Sequence, residues 1–184
     1  MTKILNLMSG GIDSTAAAKF FLNQGMEVKG LFVDYGQAAS LQENNAVQNI
    51  ADNLKLELTV ARASFCTKLH AGEIVGRNAF LVSCGLMSLN NENFISIGIH
   101  NGTPYYDCGH GFFESMNRLV SEYTDGRVKL IAPFLDWSKS EIFAFFESHH
   151  LPIALSYSCE VGASEACGEC LSCKDRAALS VSGT

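Results

Sequence analysis

The residues best suited to chemistry lie in a short segment near the N-terminus that is rich in glycine and hydroxyl groups. It reads Met8-Ser9-Gly10-Gly11-Ile12-Asp13-Ser14-Thr15. Two adjacent glycines let successive backbone N–H groups point into one concavity, the hydroxyls add donors, and a following helix adds the positive end of its dipole. The segment lacks the lysine of a Walker A loop. It therefore predicts a phosphate-binding loop of another kind, in which Asp13 holds Mg²⁺.

The same segment also fits a simpler interpretation, a tight turn followed by an Asp or Ser N-cap. Its position decides between the two, because it follows a buried apolar strand and precedes an alanine-rich helix. In a parallel sheet, that junction lies at the carboxyl end of the strands, where ligands bind. Residues 9–14 are named the phosphate loop below.

Four cysteines near the C-terminus have the spacing of a metal site. Cys159, Cys167, Cys170 and Cys173 are separated by seven, two and two residues, and Gly168 permits a tight turn between them. Four thiolates complete a tetrahedral Zn²⁺ site with no open position, so we expect a structural metal that stabilises the tail. A chain without an export signal disfavours disulfides. An iron–sulfur cluster stays an alternative.

Three other cysteines are interpreted separately. Cys84 lies in an apolar helical segment, which predicts a small core residue. Cys108 falls in a loop after the predicted fourth strand, where a side chain could contact substrate. Cys66 has no distinguishing neighbour.

Two cations occupy positions that a helix disfavours. Lys139 follows Ser138, which together with Glu141 has the spacing of a capping box, so Lys139 is expected to be the first residue of a helix. Arg77 begins another predicted helix directly after Gly76. The positive end of a helix dipole repels a cation, and an anionic ligand would remove that conflict. For Lys139, a solvated side chain is the alternative.

Apolar runs and helical stripes predict the elements that position these residues. Strands are expected at 3–8, 27–33, 57–61, 93–99 and 127–131. Helices are expected at 14–24, 38–54, 77–90, 112–123 and 139–149. This alternation indicates an α/β fold with a doubly wound parallel sheet, whose ligand-binding edge carries the loops 9–14, 34–37, 100–110 and 132–139. We expect a main domain at 1–155 and a cysteine-rich tail at 156–184, where residues 156–176 fit neither period.

Charge and hydropathy restrict the partners. The 184-residue chain has a formal net charge of −6. A protein that grips a large nucleic acid usually has a basic face, so we expect no direct nucleic-acid partner. No apolar run is long enough to cross a membrane, and the first residues do not form a secretory signal. These features favour a cytoplasmic protein with reduced thiols.

Several motifs together make the chain similar to known proteins. The phosphate loop resembles the PP-loop of the ATP-pyrophosphatase superfamily, and Asp34-Tyr35-Gly36-Gln37 looks like the adenosine-side loop of that superfamily. With the cysteine tail, the whole chain resembles the 7-cyano-7-deazaguanine synthase family. The other matching stretches are Gly76-Arg77-Asn78, Asp107-Cys108, Lys139-Ser140-Glu141-Ile142 and Ser156-Tyr157-Ser158-Cys159.

The resemblance implies a PP-loop fold, bound Zn²⁺ and a homodimer. It also implies that two ATP convert 7-carboxy-7-deazaguanine and ammonia into an amide and then a nitrile, with release of AMP and pyrophosphate. Nucleotide binding would fall to Met8, Ser9, Gly10, Gly11, Asp13, Ser14, Thr15, Asp34, Tyr35 and Gly76. Catalysis would fall to Asp13, Arg77, Lys139 and Asp107. In this scheme Mg²⁺, Arg77 and Lys139 stabilise charge on the phosphates.

Asp107 carries the substrate hypothesis. Its two carboxylate oxygens can accept hydrogen bonds from the ring N–H and the exocyclic amine of a guanine-like edge at the same time. The alternative is that Asp107 caps a loop by accepting from nearby backbone N–H groups.

The chain departs from the family just before Gly76 and in the loop around Asp107. Val75 stands where the family has Pro, and Gly109-His110 replaces an Arg-Pro pair. This pattern resembles shorter synthase-like proteins of bacterial antiviral operons, in which the product is an amide that joins a deazaguanine to a macromolecule and an operon protein is a possible partner. Two further alternatives are a tRNA-thiolating PP-loop enzyme, with Cys108 carrying a persulfide, and a non-catalytic nucleotide sensor.

Overall fold

Five parallel strands form one sheet. They are β1 (Lys3–Met8), β2 (Glu27–Asp34), β3 (Glu57–Arg62), β4 (Phe94–Ser96) and β5 (Lys129–Ile131). In the computed structural model, which describes residues 1–65, 69, 71–100 and 102–182, the strands follow the order β3-β2-β1-β4-β5. The chain runs outward from β1 in one direction through β2 and β3, and then returns to the other side of β1 for β4 and β5. The doubly wound parallel sheet is therefore confirmed.

Six α-helices cover the sheet in the part of the chain that the structure describes. They are α1 (Ile12–Asn23), α2 (Ser40–Leu54), α3 (Arg77–Met87), α4 (His110–Tyr123), α5 (Lys139–Ser148) and α6 (Leu171–Ser182). None of them is both long and apolar enough to cross a membrane.

Side chains alternate along β1 and so divide the core into two layers. Leu5 and Leu7 pack with residues of α3 and α4, among them Val82. Ile4 and Met8 point to the opposite layer, which α1 and α2 cover. On that side α5 and α6 also pack against α1. The helix that follows the phosphate loop is thus held by the sheet and by two other helices.

Helix α6 and strand β4 differ most from the expectation. Helix α6 was not predicted, because only Cys173 and Leu179 are buried along its described side chains and they do not form a helical stripe. Strand β4 ends at Ser96 instead of residue 99. Shortly after it, Gly98 lies so close to the start of α1 that a Cβ atom there would be 3.0 Å from the Ser14 nitrogen. Cys66 lies outside the described residues.

Candidate functional site

A cavity of about 730 Å³ lies at the carboxyl ends of the central strands. Its walls come from the phosphate loop, the loops after β2 and β4, the starts of α3 and α5, and the C-terminal tail. Eight of the residues predicted from the sequence line it, and they are Met8, Ser9, Gly11, Asp13, Ser14, Tyr35, Arg77 and Lys139. The fold therefore brings most of the predicted nucleotide-binding residues to one place.

The phosphate loop is closed by its own side chains. The Ser14 hydroxyl accepts the Ser9 N–H at 3.2 Å, and the Ser9 hydroxyl accepts the Gly11 N–H at 3.3 Å. The Thr15 hydroxyl donates to the Gly11 carbonyl at 2.8 Å. Ser14 and Thr15 are 5% and 1% exposed. These hydroxyls fix the shape of the loop, and Ser14 also lines the cavity.

Only one of the two loop glycines has a conformation that requires glycine. Gly10 has a φ of +77°, and a Cβ atom there would lie 2.8 Å from the Cβ of Ala46 on α2. Gly11 has a φ of −84° and a ψ of 173°, an extended conformation that any residue adopts, and it serves as the N-cap of α1. The loop therefore makes one left-handed bend, at Gly10, which presses it against α2.

An ion pair joins the first turn of α1 to the first turn of α5. The Lys139 ammonium donates to both carboxylate oxygens of Asp13, at 2.6 and 2.5 Å. The predicted capping box fixes the start of α5, since Ser138 and Glu141 each accept a backbone N–H from the other. The Asp13 carboxylate thus offsets the unfavourable interaction of Lys139 with the helix dipole. Both side chains stay partly exposed to the cavity, at 27% and 23%.

The first turn of α2 contributes a carboxylate that the sequence analysis missed. Glu43 lines the cavity, and its Oε2 accepts from the Gln37 amide at 2.7 Å. Burial raises the pKa of Glu43 against the opposing effects of Gln37 and Arg77. Burial also raises the pKa of Tyr35 to about 12, and Arg77 opposes this shift too. Glu43 was hidden in the sequence because it belongs to a polar helix with no motif.

Asp107 has a structural partner at the start of α3. Its Oδ2 accepts the Asn78 backbone N–H at 3.1 Å, and its carbonyl accepts from the Asn78 side-chain amide at 2.9 Å. The N–H groups of a first helical turn have no partner within the helix, so this carboxylate caps α3. Cys108 lines the cavity, whereas Asp107 does not belong to its lining. The capping alternative therefore has geometric support, and recognition of a guanine-like edge stays a prediction.

The remaining predicted residues shape the walls without lining the cavity. Gly10 and Thr15 hold the phosphate loop as described above. Asp34 accepts from the Gly36 N–H at 3.2 Å and from the Ser40 hydroxyl at 2.7 Å. Gly76 is the N-cap of α3 with a φ of +79°.

The four tail cysteines form a compact cluster. Their Sγ atoms all lie within 4.8 Å of one another, and Gly168 has a φ of +73° in the turn between the second and third cysteine. Burial raises the pKa of Cys159, but hydrogen bonds from Cys167 and Val161 outweigh it and lower this pKa to about 6. A set of four convergent sulfur donors fits zinc or another metal that prefers thiolates.

The other cysteines have apolar surroundings. Cys84 is half-buried against the main core cluster, as predicted for a small core residue. Cys108 is buried, and the Asn78 amide donates to its sulfur at 3.8 Å. Burial raises the pKa of Cys108, with a further rise from Asp107. A thiol with a raised pKa is a poor nucleophile at neutral pH.

The C-terminal tail forms one wall of the cavity, and the sequence motifs did not predict this position. The lining residues from this region are Tyr157, Ser158, Glu160, Leu171, Ser172, Asp175, Arg176, Ala178 and Leu179. They reach the cavity because α6 packs against α1, a tertiary contact that leaves no local signal in the sequence.

Comparison with known proteins gives one family and a set of relatives. The family model described as "Queuosine biosynthesis protein QueC" matches residues 3–78 and 71–180. The chain is 33% identical to a 7-cyano-7-deazaguanine synthase from Prochlorococcus marinus (strain NATL1A), covering 92% of this chain and 89% of the relative. It is 29% identical to the protein of the same name from Campylobacter curvus, covering 96% and 92%.

Two solved structures support the fold. The U34-tRNA thiolase NcsA from Methanococcus maripaludis, solved with its 4Fe-4S cluster, superimposes with a TM-score of 0.58 and 17% identity over 98% of this chain and 64% of the other. A 4-thiouridine synthetase–RNA complex with bound ATP gives a TM-score of 0.53 and 17% identity over 91% and 45%. At such low identity, these similarities show a common fold and nothing about activity.

Proposed function

Because the chain belongs to the family of queuosine biosynthesis protein QueC, we propose that it is an ATP-dependent synthase that acts on a deazapurine carboxylate. It adenylates 7-carboxy-7-deazaguanine, and ammonia displaces AMP to give an amide. A second ATP activates the amide oxygen, and loss of AMP leaves 7-cyano-7-deazaguanine. Pyrophosphate is released in each activation. The relatives from Prochlorococcus and Campylobacter, which are named for this product, support the substrate class.

The observation that carries the proposal is the convergence of three helix N-termini and two cationic side chains on one cavity. The phosphate loop, Arg77 and Lys139 line it from three separate elements. Helices α1, α3 and α5 all begin at its wall, so three N-termini direct their partial positive charge toward the same volume. Fixed dipoles and cations of this kind stabilise the charge that develops when pyrophosphate leaves.

The phosphate loop and Lys139 have the central roles in this proposal. The loop binds the two terminal phosphates of ATP through its N–H groups and the start of α1. Lys139 neutralises charge on the α-phosphate, which the substrate attacks. Arg77, which lies beside Tyr35, neutralises charge on the same phosphate from another wall of the cavity. Adenylation needs no nucleophile from the protein, since the substrate carboxylate attacks the α-phosphorus directly.

Asp13 fits a role in holding Mg²⁺. Its carboxylate is an oxygen donor of the kind that Mg²⁺ prefers, and it lies on the cavity wall. One carboxylate is enough where phosphates and water provide the other ligands. The metal would neutralise charge on the phosphates. Lys139, which pairs with Asp13 in the structure, then becomes free to contact the nucleotide.

The cysteine cluster fits a structural Zn²⁺ site in the same proposal. Cys159, Cys167, Cys170 and Cys173 converge closely enough to hold such an ion. Four thiolates would fill all positions of a tetrahedral ion, and no position would be left for a substrate. The metal would therefore act on the fold of the tail and on the wall that the tail provides.

A second candidate product is an amide. The family's Arg-Pro pair is replaced by Gly109-His110, and His110 pairs with Asp136 at 2.9 Å instead of lining the cavity. A chain with a changed substrate loop and an intact phosphate loop can retain the first activation and lose the second. The product would then be the amide of a deazaguanine, joined to ammonia or to an amine on a macromolecule.

Product analysis tests both candidates. The purified protein is incubated with ATP, Mg²⁺, ammonium and 7-carboxy-7-deazaguanine, and the products are measured by mass spectrometry together with AMP and pyrophosphate. The synthase predicts a nitrile with two AMP per product, whereas the second candidate predicts an amide with one. Release of ADP and phosphate instead of AMP and pyrophosphate would contradict the proposal.

Two variants locate the activity in the cavity. Asp13→Ala is expected to abolish AMP release with the fold intact, because its carboxylate serves the nucleotide and not the core. Asp52→Ala is the matched control, since Asp52 is exposed on α2 and outside the cavity lining. ATP–pyrophosphate exchange in the wild type separates an enzyme from a nucleotide sensor, and an assay for thiouridine in tRNA tests the thiolase alternative.

A further inference from the structure

The phosphate loop has a direct contact with the tail. The Tyr157 backbone N–H donates to the Gly10 carbonyl at 2.9 Å. Gly10 makes the single left-handed bend of the loop, with a φ of +77°. A shift of Tyr157 would therefore act on the residue that sets the direction of the phosphate loop.

The side chain of the same tyrosine reaches the segment that carries the cysteines. Its hydroxyl donates to the Ala163 carbonyl at 2.7 Å, in the segment between the first two cysteines. Tyr157 thus connects the two sites, with its backbone on the phosphate loop and its hydroxyl on the segment that carries the cysteines.

Two further contacts hold the cysteine segment in place. Gly162 has a φ of +79°, and a Cβ atom there would lie 2.0 Å from the Ala38 carbonyl oxygen, just before α2. Glu160 accepts from the Ser172 N–H at 3.1 Å and from the Ser172 hydroxyl at 2.7 Å, which ties the segment to the first turn of α6. The segment cannot rearrange without disturbing the cavity wall.

From these contacts we propose that Tyr157 is a positioning residue that couples the metal site to the phosphate loop, so that the metal and ATP strengthen each other's binding. A metal in the cysteine cluster fixes the Tyr157 hydroxyl, and the Tyr157 backbone in turn holds Gly10 in its bent conformation. The inference rests on the proposed function, because it takes ATP as the ligand of the phosphate loop.

Thermodynamic linkage makes the coupling measurable from either side. If the metal raises the affinity for ATP by some factor, ATP raises the affinity for the metal by the same factor. Coupling free energies between sites commonly correspond to about 5- to 150-fold. One backbone hydrogen bond and one hydroxyl contact favour the lower end, so we expect about tenfold.

The experiment measures Zn²⁺ affinity by chelator competition on the intact protein, with and without saturating Mg²⁺–ATP. In the wild type, ATP is expected to raise the Zn²⁺ affinity about tenfold. In Tyr157→Phe, which retains the backbone N–H and loses the hydroxyl, the factor is expected to fall below about twofold. Tyr123→Phe is the matched control, because Tyr123 is exposed at the end of α4 and outside the cavity lining, and it should retain the wild-type factor.

AMP serves as the control ligand that shows which end of the nucleotide is responsible for the coupling. It lacks the terminal phosphates that the phosphate loop binds, and it should leave the Zn²⁺ affinity unchanged. An equal factor with AMP, no factor with ATP in the wild type, or a full factor in Tyr157→Phe would each overturn the coupling. Calorimetry of ATP binding is measured in parallel, since a wild type that binds no ATP would contradict the proposed function, whereas ATP binding with no effect on Zn²⁺ contradicts only the coupling.

Discussion

The phosphate loop and the cysteine segment (residues 159–173) face the same cavity but are closed in different ways. Each makes a tight turn at a glycine in the left-handed region, Gly10 with a φ of +77° and Gly168 with a φ of +73°. In the phosphate loop, the hydroxyls of Ser9, Ser14 and Thr15 complete the turn with hydrogen bonds. In the cysteine segment, four thiols converge within 4.8 Å.

This difference indicates that the two segments need different things in order to fold. Neutral hydroxyl and amide groups satisfy one another inside the phosphate loop, so its shape follows from folding alone. Four converging thiols cannot do this, because weak sulfur hydrogen bonds replace strong ones and each ionised thiolate repels the next. A cation removes the repulsion and becomes part of the folding free energy. We therefore predict that one wall of the cavity forms on folding alone and that the other depends on a bound metal.

The strongest test of this difference is removal of one cysteine. Cys170→Ser should remove most of the bound metal and lower the free energy of unfolding by about 4 kcal/mol or more, a range reached when a metal site is lost. Elemental analysis of the purified protein, with one Zn²⁺ expected for each wild-type chain, and chemical denaturation check both effects. Cys84→Ser is the control, since Cys84 lies outside the cluster and should leave the metal content unchanged.

Addition of a chelator to the wild type should reproduce the effect of Cys170→Ser. An iron-containing, coloured preparation with labile sulfide would show that the cluster holds iron and sulfur. If a metal-free wild type unfolded at the same denaturant concentration as the loaded protein, the distinction between the two walls would be wrong.

The second prediction concerns the two glycines of the phosphate loop. Gly10→Ala forces a side chain into the left-handed region and against Ala46, which should lower the free energy of unfolding by about 1–3 kcal/mol. Gly11→Ala meets nothing closer than 3.4 Å and should change it by less than about 0.5 kcal/mol. Denaturation curves of the two variants check this. Equal losses would mean that backbone shape is not what Gly10 provides.

The sequence was sufficient to predict the sheet and the motif on each wall, but not helix α6 of the tail. The alternation of strands and helices was sufficient for the sheet, because a parallel sheet buried on both faces leaves apolar runs at regular spacing. The phosphate loop and the four cysteines were visible because their residue types and spacing lie close together in the chain. Helix α6 escaped prediction since its two described buried side chains, Cys173 and Leu179, make no helical stripe.

The features that the sequence did not predict depend on contacts between distant segments of the chain. Lys139 and Asp13 are 126 residues apart, and only the packing of α5 against α1 brings them together. The role of Tyr157 depends on a backbone N–H, which every residue except proline possesses and which no pattern reveals. Glu43 belongs to a polar helix, and only the fold brings its backbone close to Gly10 and the residue to the cavity wall.

The third prediction concerns the start of α3, which is intermediate between the two walls. One carboxylate from a distant loop, that of Asp107, accepts a backbone N–H of its first turn. Asp107→Asn replaces an ionised acceptor of the Asn78 N–H with a neutral one, so the free energy of unfolding should fall by about 1 kcal/mol. A cap predicts this loss with or without a deazapurine. Calorimetry with ATP and then with 7-carboxy-7-deazaguanine checks it. A loss of deazapurine affinity at unchanged stability would instead support recognition of the substrate edge.

The smallest effect is expected at Glu43, the carboxylate beside the phosphate loop. Burial raises its pKa, so the folded state binds the proton more tightly than the unfolded state. The stabilisation from that proton is complete below the unfolded pKa and is lost as the pH rises through the folded pKa. At neutral pH, the charge on Glu43 is therefore unfavourable for folding, and Glu43→Gln should raise the free energy of unfolding by less than about 1 kcal/mol.

The gain in stability from Glu43→Gln should shrink as the pH falls toward 4.5, the ordinary pKa of Glu. Urea denaturation of both proteins between pH 4 and 8 checks the trend, with the exposed Glu147→Gln as the control. A loss of stability at neutral pH would mean that the hydrogen bond from Gln37 and the attraction to Arg77 together outweigh burial.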